Sequence, residues 1–244
     1  MENVLLIGLS RQMAASRQMS IIANNLANMN TSGFKAESVL YQEYEMAVAA
    51  EETPDKTLSF VQDFGLVRNL TAGRAEVTDN PLDLAINGEG YFKVQSPDGV
   101  RYTRNGHFSL DPQGQLVMSN GFPVLTQGGA PLKFDESDTD ISITKDGTVS
   151  TSQGEKGKLA LVEFENPRLL KKDGNGLLET EEPETPVRDP KMVQGSLEKS
   201  NVQPIVEMTN MIDVLRSYTG AAKMNEKTDE LRRRAISTLG RVNA

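Results

Sequence analysis

The sequence predicts an α+β protein in which long N- and C-terminal helices pair as a coiled-coil-like α domain and flank a central all-β domain. Two observations carry that expectation. Apolar residues recur at three- and four-residue steps at both ends of the chain, the spacing of one helix face. Between them the texture changes to short apolar runs separated by glycine-containing turn pairs, the mark of a meander or small barrel.

The first helix rests on Leu5, Leu6, Leu9, Met13, Ser16, Met19, Ser20, Ala23, Leu26 and Ala27, with polar residues between them. Thr31, Ser32 and Gly33 supply its expected stop, because glycine takes the left-handed conformation that closes a helix and hydroxyl residues favour turns. The polymerisation helix and its turn are thus assigned to 1–35, followed by an extended connector over 36–80. The second helix, over 202–244, rests on one drifting stripe: Ile205, Met208, Met211, Ile212, Leu215, Tyr218, Ala221, Met224, Thr228, Leu231, Ala235, Thr238 and Val242. No proline interrupts it after Pro204.

The β domain is assigned to 81–190. Its turn pairs are Asp98-Gly99, Asn105-Gly106, Gln113-Gly114, Asn120-Gly121, Gly128-Gly129 and Asp146-Gly147. Candidate strands are Leu82–Ile86, Tyr91–Gln95, Arg101–Thr103, Phe108–Leu110, Leu116–Met118, Ile141–Thr144 and Leu159–Phe164. Glu179–Pro190, rich in Glu, Pro and Thr, reads as a loop, and 191–201 as a return linker to the last helix.

Composition excludes several function classes. The 244 residues contain no cysteine, which removes disulfides, zinc thiolate sites and cysteine nucleophiles together. A formal charge of −8 argues against nucleic acid as a partner, since phosphate neutralisation needs a basic face. The one basic run, Arg232 to Arg234, reads as a solvated face near a helix C-terminus. No stretch reaches the roughly 18 apolar residues of a membrane span, and the N-terminus lacks the pattern of a cleaved signal peptide.

At the end of the first helix stands Ala23-Asn24-Asn25-Leu26-Ala27-Asn28-Met29-Asn30-Thr31-Ser32-Gly33-Phe34-Lys35. Small Ala23 and Ala27 admit a close neighbour, and the asparagine amides bond across a helix contact or to backbone. This segment resembles the rod and hook signature of the bacterial flagellar axial proteins. So do Asn80 to Phe92, Tyr102 to Asp111, and Val193 to Val202, in the expected order. The opening residues and modest length look most like the proximal-rod members, with distal-rod and hook members as rivals.

The resemblance implies a structural, non-enzymatic subunit in the basal-body rod, exported by the flagellar type III apparatus. Its implied partners are other rod subunits and further copies of itself, with no cofactor. The implied subunit interface comprises Leu5, Leu9, Ala23, Asn24, Asn25, Leu26, Ala27, Asn28, Thr31, Gly33, Phe34 and Lys35. On the second helix it comprises Met208, Ile212, Leu215, Leu231 and Ala235. A different class, a secreted binding module whose helices only oligomerise it, is the rival expectation.

Catalytic and metal readings are weak by residue type. His107 is the single histidine and sits in an expected hairpin, so it reads as structural rather than as the base of a hydrolase. Gly88-Glu89-Gly90 precedes a strand and lacks the third glycine of a dinucleotide fingerprint. Asp135, Glu136, Asp138 and Asp140, and Asp173 with Asn175, lack full calcium-loop spacing and read as solvated loops.

Overall fold

The computed structural model of the protein describes residues 2–47, 57–174 and 176–242. Met1, Asn175, Ala244 and the 48–56 stretch of the expected connector lie outside the described residues, as does the side chain of Val242. The chain divides into two compact units, one formed by 1–27, 37–69 and 203–244 and the other by 28–36 and 70–202.

The first unit holds helix α1 (Glu2–Ala27), strands β1 (Glu37–Ala47) and β2 (Thr57–Arg68), and helix α2 (Pro204–Val242). The helices run antiparallel: Gln12 meets Asn225, where the Asn225 amide donates to Gln12 Oε1 at 3.3 Å, whereas Asn25 meets Glu207. Between these polar ends Ala15, Met19 and Ile22 pack on Met211, Val214 and Tyr218. The stripe read from the sequence therefore resolves into two rows on α2. The row Glu207, Met211, Val214, Tyr218, Ala221, Asn225 turns inward, while Ile205, Met208, Ile212 and Leu215 stay exposed. Gly8 permits the closest approach, for a Cβ there would fall 1.9 Å from Asn225 Oδ1. That oxygen is buried without a hydrogen-bond partner among the described residues.

Where the sequence suggested only an extended connector, β1 and β2 form a long antiparallel hairpin, with a register shift between Leu40 and Tyr41. It lies against α1. The Tyr41 hydroxyl donates to Ala14 O at 2.9 Å, and the Asn25 amide exchanges two bonds with the Glu37 backbone, donating at 2.8 Å and accepting at 3.0 Å.

The second unit contains β3 (Ala75–Val77), β4 (Leu84–Ile86), β5 (Tyr91–Ser96), β6 (Gly99–Thr103), β7 (Phe108–Leu110) and β8 (Leu116–Met118). These are followed by β9 (Ser142–Ile143), β10 (Thr148–Thr151), β11 (Gly154–Lys158), β12 (Leu161–Glu163) and β13 (Lys171–Lys172). Then come β14 (Leu178–Glu179), β15 (Thr185–Pro186), β16 (Met192–Gln194) and β17 (Ser196–Glu198). The largest sheet has the order β13-β14-β6-β5-β12-β15. Its apolar interior centres on Leu84, Phe92, Val94, Phe108, Leu116 and Met118, with Phe92 and Phe108 edge-to-face at 5.2 Å.

Every strand expected from the sequence coincides with an observed one, though several are shorter. The expected return linker instead carries β16 and β17, which pair with β4 and β3 and close the unit with its last residues. Gly106 is the turn glycine that matters most for packing. A Cβ there would fall 1.7 Å from Leu84 O, and its own carbonyl accepts the Leu84 N–H at 3.0 Å.

Candidate assembly surfaces

The residues expected at an interface fall into three groups. Leu9, Ala23, Asn24, Ala27, Thr31, Met208, Ile212, Leu215, Leu231 and Ala235 are exposed. Leu5, Leu26, Asn28, Gly33 and Phe34 are half-buried. Asn25 and Lys35 are buried within the chain, at 1% and 7% exposure. Sequence reasoning missed Leu6, Met13 and Ile236 as exposed large apolar side chains on the helices. Leu6 and Met13 stood in the periodic pattern, but periodicity does not say which residues of a stripe a partner helix covers.

Asn25 is held from several sides. Besides its two bonds to the Glu37 backbone, its amide donates to Glu207 Oε1 at 3.3 Å. Burial raises the Glu207 pKa, and the bond from Asn25 opposes that rise. An asparagine in the last turn of α1 thus serves the helix through tertiary bonds that offset its poor intrinsic propensity.

The turn that follows behaves differently from the expected helix stop. Helix α1 ends at Ala27, six positions before Gly33, so Gly33 is not its cap. Gly33 instead adopts φ +71°, and a Cβ there would lie 2.5 Å from the Arg104 carbonyl carbon. Its N–H donates to Glu198 O at 2.7 Å. Local sequence could not distinguish a capping glycine from one that makes room for a strand end from another part of the chain.

Lys35, Arg104 and Glu198 come together from three of the four motifs into one buried knot. Glu198 Oε1 accepts from Lys35 Nζ at 2.5 Å and from the Gly73 N–H at 2.9 Å. Glu198 Oε2 accepts from Arg104 Nε at 3.0 Å and from a second guanidinium nitrogen at 2.9 Å. The remaining donors are satisfied by backbone: Lys35 by Thr71 O at 2.7 Å, Arg104 by Gly88 O at 2.9 Å and Gly90 O at 2.7 Å. All three side chains are less than 9% exposed. Burial lowers the Lys35 pKa, the bond and charge of Glu198 oppose this, and the nearby Arg104 charge adds to the lowering.

Asn201 extends the same knot. Its Oδ1 accepts the Ala36 N–H at 2.8 Å, its amide donates to Thr71 O at 3.0 Å, and its own N–H reaches Phe34 O at 3.4 Å. The segments 31–36, 71–73 and 198–201, where the chain enters and leaves this unit, are therefore tied at one place. Outside the knot, Lys172 sits over the Phe34 ring at 4.5 Å.

The weaker chemical candidates have structural partners. His107 Nδ1 lies 2.7 Å from Asp83 Oδ1, with Asp83 buried and His107 about half exposed, which ties the β7 hairpin to the approach of β4. Lys156 bridges Asp135 and Asp138 at 2.8 and 2.7 Å, filling the place a cation would take. Burial raises the Asp138 pKa, but the bonds from Lys156, the Asp135 N–H and the Thr151 hydroxyl outweigh it and hold the group down at about 2. Asp173 pairs with Arg101. Among the described residues no three metal-ligating side chains converge, and no helix is long and apolar enough to cross a membrane.

Comparison with known proteins adds family likeness to this geometry. Residues 5–35 match the flagella basal body rod protein family, residues 85–151 the flagellar hook protein FlgE/F/G D1 domain, and residues 193–238 the flagellar basal body rod FlgEFG protein C-terminal family. The chain is 42% identical to the flagellar basal-body rod protein FlgF of Caulobacter vibrioides, over 100% of both chains. It is 34% identical to FlgF of Mesorhizobium japonicum, over 98% of this chain and 99% of that one. To FlgG of Buchnera aphidicola it is 34% identical, over 87% of this chain and 90% of the other.

Proposed function

The chain belongs to the flagellar basal-body rod protein family and is most like FlgF, and from that premise we propose that it is a proximal-rod subunit working by mechanical contact. In this reading the flagellar type III apparatus exports it. It then joins other rod subunits and further copies of itself through α1 and α2, which pair in a coiled-coil-like manner. Torque passes along the rod through many such contacts in parallel.

The observation that carries the reading is the apolar surface left on the helices. Leu6, Leu9 and Met13 on α1 and Ile205, Met208, Ile212, Leu215, Met224, Leu231 and Ile236 on α2 are all at least 47% exposed, in a chain whose β unit buries its large apolar residues. Burying an apolar side chain of this size is worth about 1.5–3 kcal/mol, so such a row is a strong drive to associate. Leu5, Leu26 and Ala235 flank these rows and are assigned to the interface, as are Asn24, Asn28 and Thr31, whose polar groups set register.

The test removes residues 1–33 or 202–244 in cells and measures swimming and the rods in isolated basal bodies. Loss of complete rods is expected, and normal rods would sink the reading. Leu215→Asp is a local version: the exported subunit should fail to join the rod.

A further inference from the structure

One side of the helical unit is left uncovered, and its two rows differ in size layer by layer. One residue step turns a helix by about 100°. On α1, the positions one step before the α2-facing row, such as Ala14 and Asn25, meet the hairpin. The positions one step after that row point away from the hairpin. Because α2 runs antiparallel to α1, its own positions one step after the inward row turn to the same side. The two outer rows therefore lie next to each other on one exposed face.

Along that face Ser20 stands level with Ile212, Ala23 with Met208, and Ala27 with Ile205. Ser16 beside Leu215 continues the pattern. The sizes then exchange, with Met13 level with Thr219 and Leu9 with Ala222. Every layer thus pairs one large residue with one small, and the large ones are between 47% and 77% exposed. Glu226 marks the edge of the face next to Leu6.

We propose that this face binds a second copy of the same chain with the same helix polarity, the outer row of α2 in one copy seating on the outer row of α1 in the other. The inference rests on the reading of the chain as an assembling rod subunit. Turning a second copy face to face about an axis parallel to the helices brings its Ser20 under Ile212, its Ala23 under Met208, and its Met13 over Thr219. Large then meets small in each layer, the condition for interdigitated packing. A copy of opposite polarity sets the Ile205 to Leu215 row against Leu9 and Met13, large against large, so the pattern selects direction. When only one such pair of rows engages, each copy keeps a free row for a further neighbour, and the contact propagates instead of closing.

The absence of cysteine makes a direct test available. Ser20→Cys and Ile212→Cys are placed in separately tagged copies of the full chain, and rods are isolated from cells expressing both. Mild oxidation is expected to join the two copies. Leu9→Cys, several layers away, is expected not to join Ile212→Cys. Rods that contain both copies yet form no Ser20-to-Ile212 link, or link only to a different rod protein, overturn the self-pairing while leaving the rod role intact. Rods isolated without this chain overturn the rod role itself. As an independent measure, Ala23→Met should lower incorporation by about tenfold, and supplying Met208→Ala in the same chain should restore it. Failure of that rescue also counts against the pairing.

Discussion

The two units treat polar and apolar side chains in opposite ways. In the β unit, Glu198 carries Lys35, Arg104 and the Gly73 N–H, so each charge withdrawn from water has partners, and the aromatic interior is closed. In the helical unit, apolar side chains as large as Ile205 and Leu231 remain in contact with solvent, while Asn225 Oδ1 is buried without a partner. The β unit is complete within one chain; the helical unit reaches completion through other molecules. Stability and assembly are thereby assigned to different residues of the same polypeptide.

The largest effect should come from breaking the self-sufficiency of the β unit. Glu198→Leu leaves Lys35 and Arg104 buried without a counter-charge, and removal of one partner from such a group costs about 3–5 kcal/mol. Denaturant unfolding of the purified chain is expected to shift by this amount, and a change below about 1 kcal/mol would show that water relieves the charges.

Met208→Asp sharpens the other half of the comparison. An exposed helix substitution should change the unfolding free energy of the isolated chain by no more than about 0.5 kcal/mol. The same variant should nevertheless be lost from isolated rods. A large loss of stability would instead mark Met208 as part of the packing within a single chain.

A smaller effect of opposite sign is expected at Asn225. Replacement by Leu removes the unpartnered buried oxygen, at the cost of the 3.3 Å bond to Gln12. A gain of about 1 kcal/mol in the helical unit is expected by thermal melting followed through helical circular dichroism. If Asn225→Leu is destabilising, the Gln12 bond outweighs the orphaned oxygen.

The smallest effect concerns acid. The folded pKa of Asp138, about 2, lies below its ordinary value of 3.8. Its contribution is therefore present above pH 3.8 and is lost as pH falls towards 2. The Asp138→Asn variant should show a flatter decline of stability across that window in acid titration, and an identical decline would remove Asp138 from the acid response.

Much of the fold was legible because its signals are local. Helical spacing located both helices, and turn glycines with short apolar runs located β5, β7 and β8. The hairpin of β1 and β2 was not legible, since runs such as Glu37 to Ala47 mix charged and apolar residues and gain their strand character from pairing over a long turn. The late strands β16 and β17 were missed because their partners precede them by about a hundred residues, a pairing that no window of sequence displays. The asparagine motif drew attention to Asn25 and Lys35, yet it gave no indication that their partners would be Glu37 and Glu198. Which of two helix rows faces inward became apparent only from the packing of Val214 and Tyr218.

The knot around Glu198 also has a kinetic meaning. Lys35 and Glu198 are 163 residues apart in sequence, and β17, the last strand of the unit, pairs with β3, its first. Closing so long a loop earns no contact energy until the end, which is the property that slows folding of high-contact-order chains. As a ribosome releases the chain from its N-terminus, Lys35 waits in solvent until nearly all of the β unit has been made. The polypeptide therefore stays open and threadable through most of its synthesis, and its final strand acts as the latch.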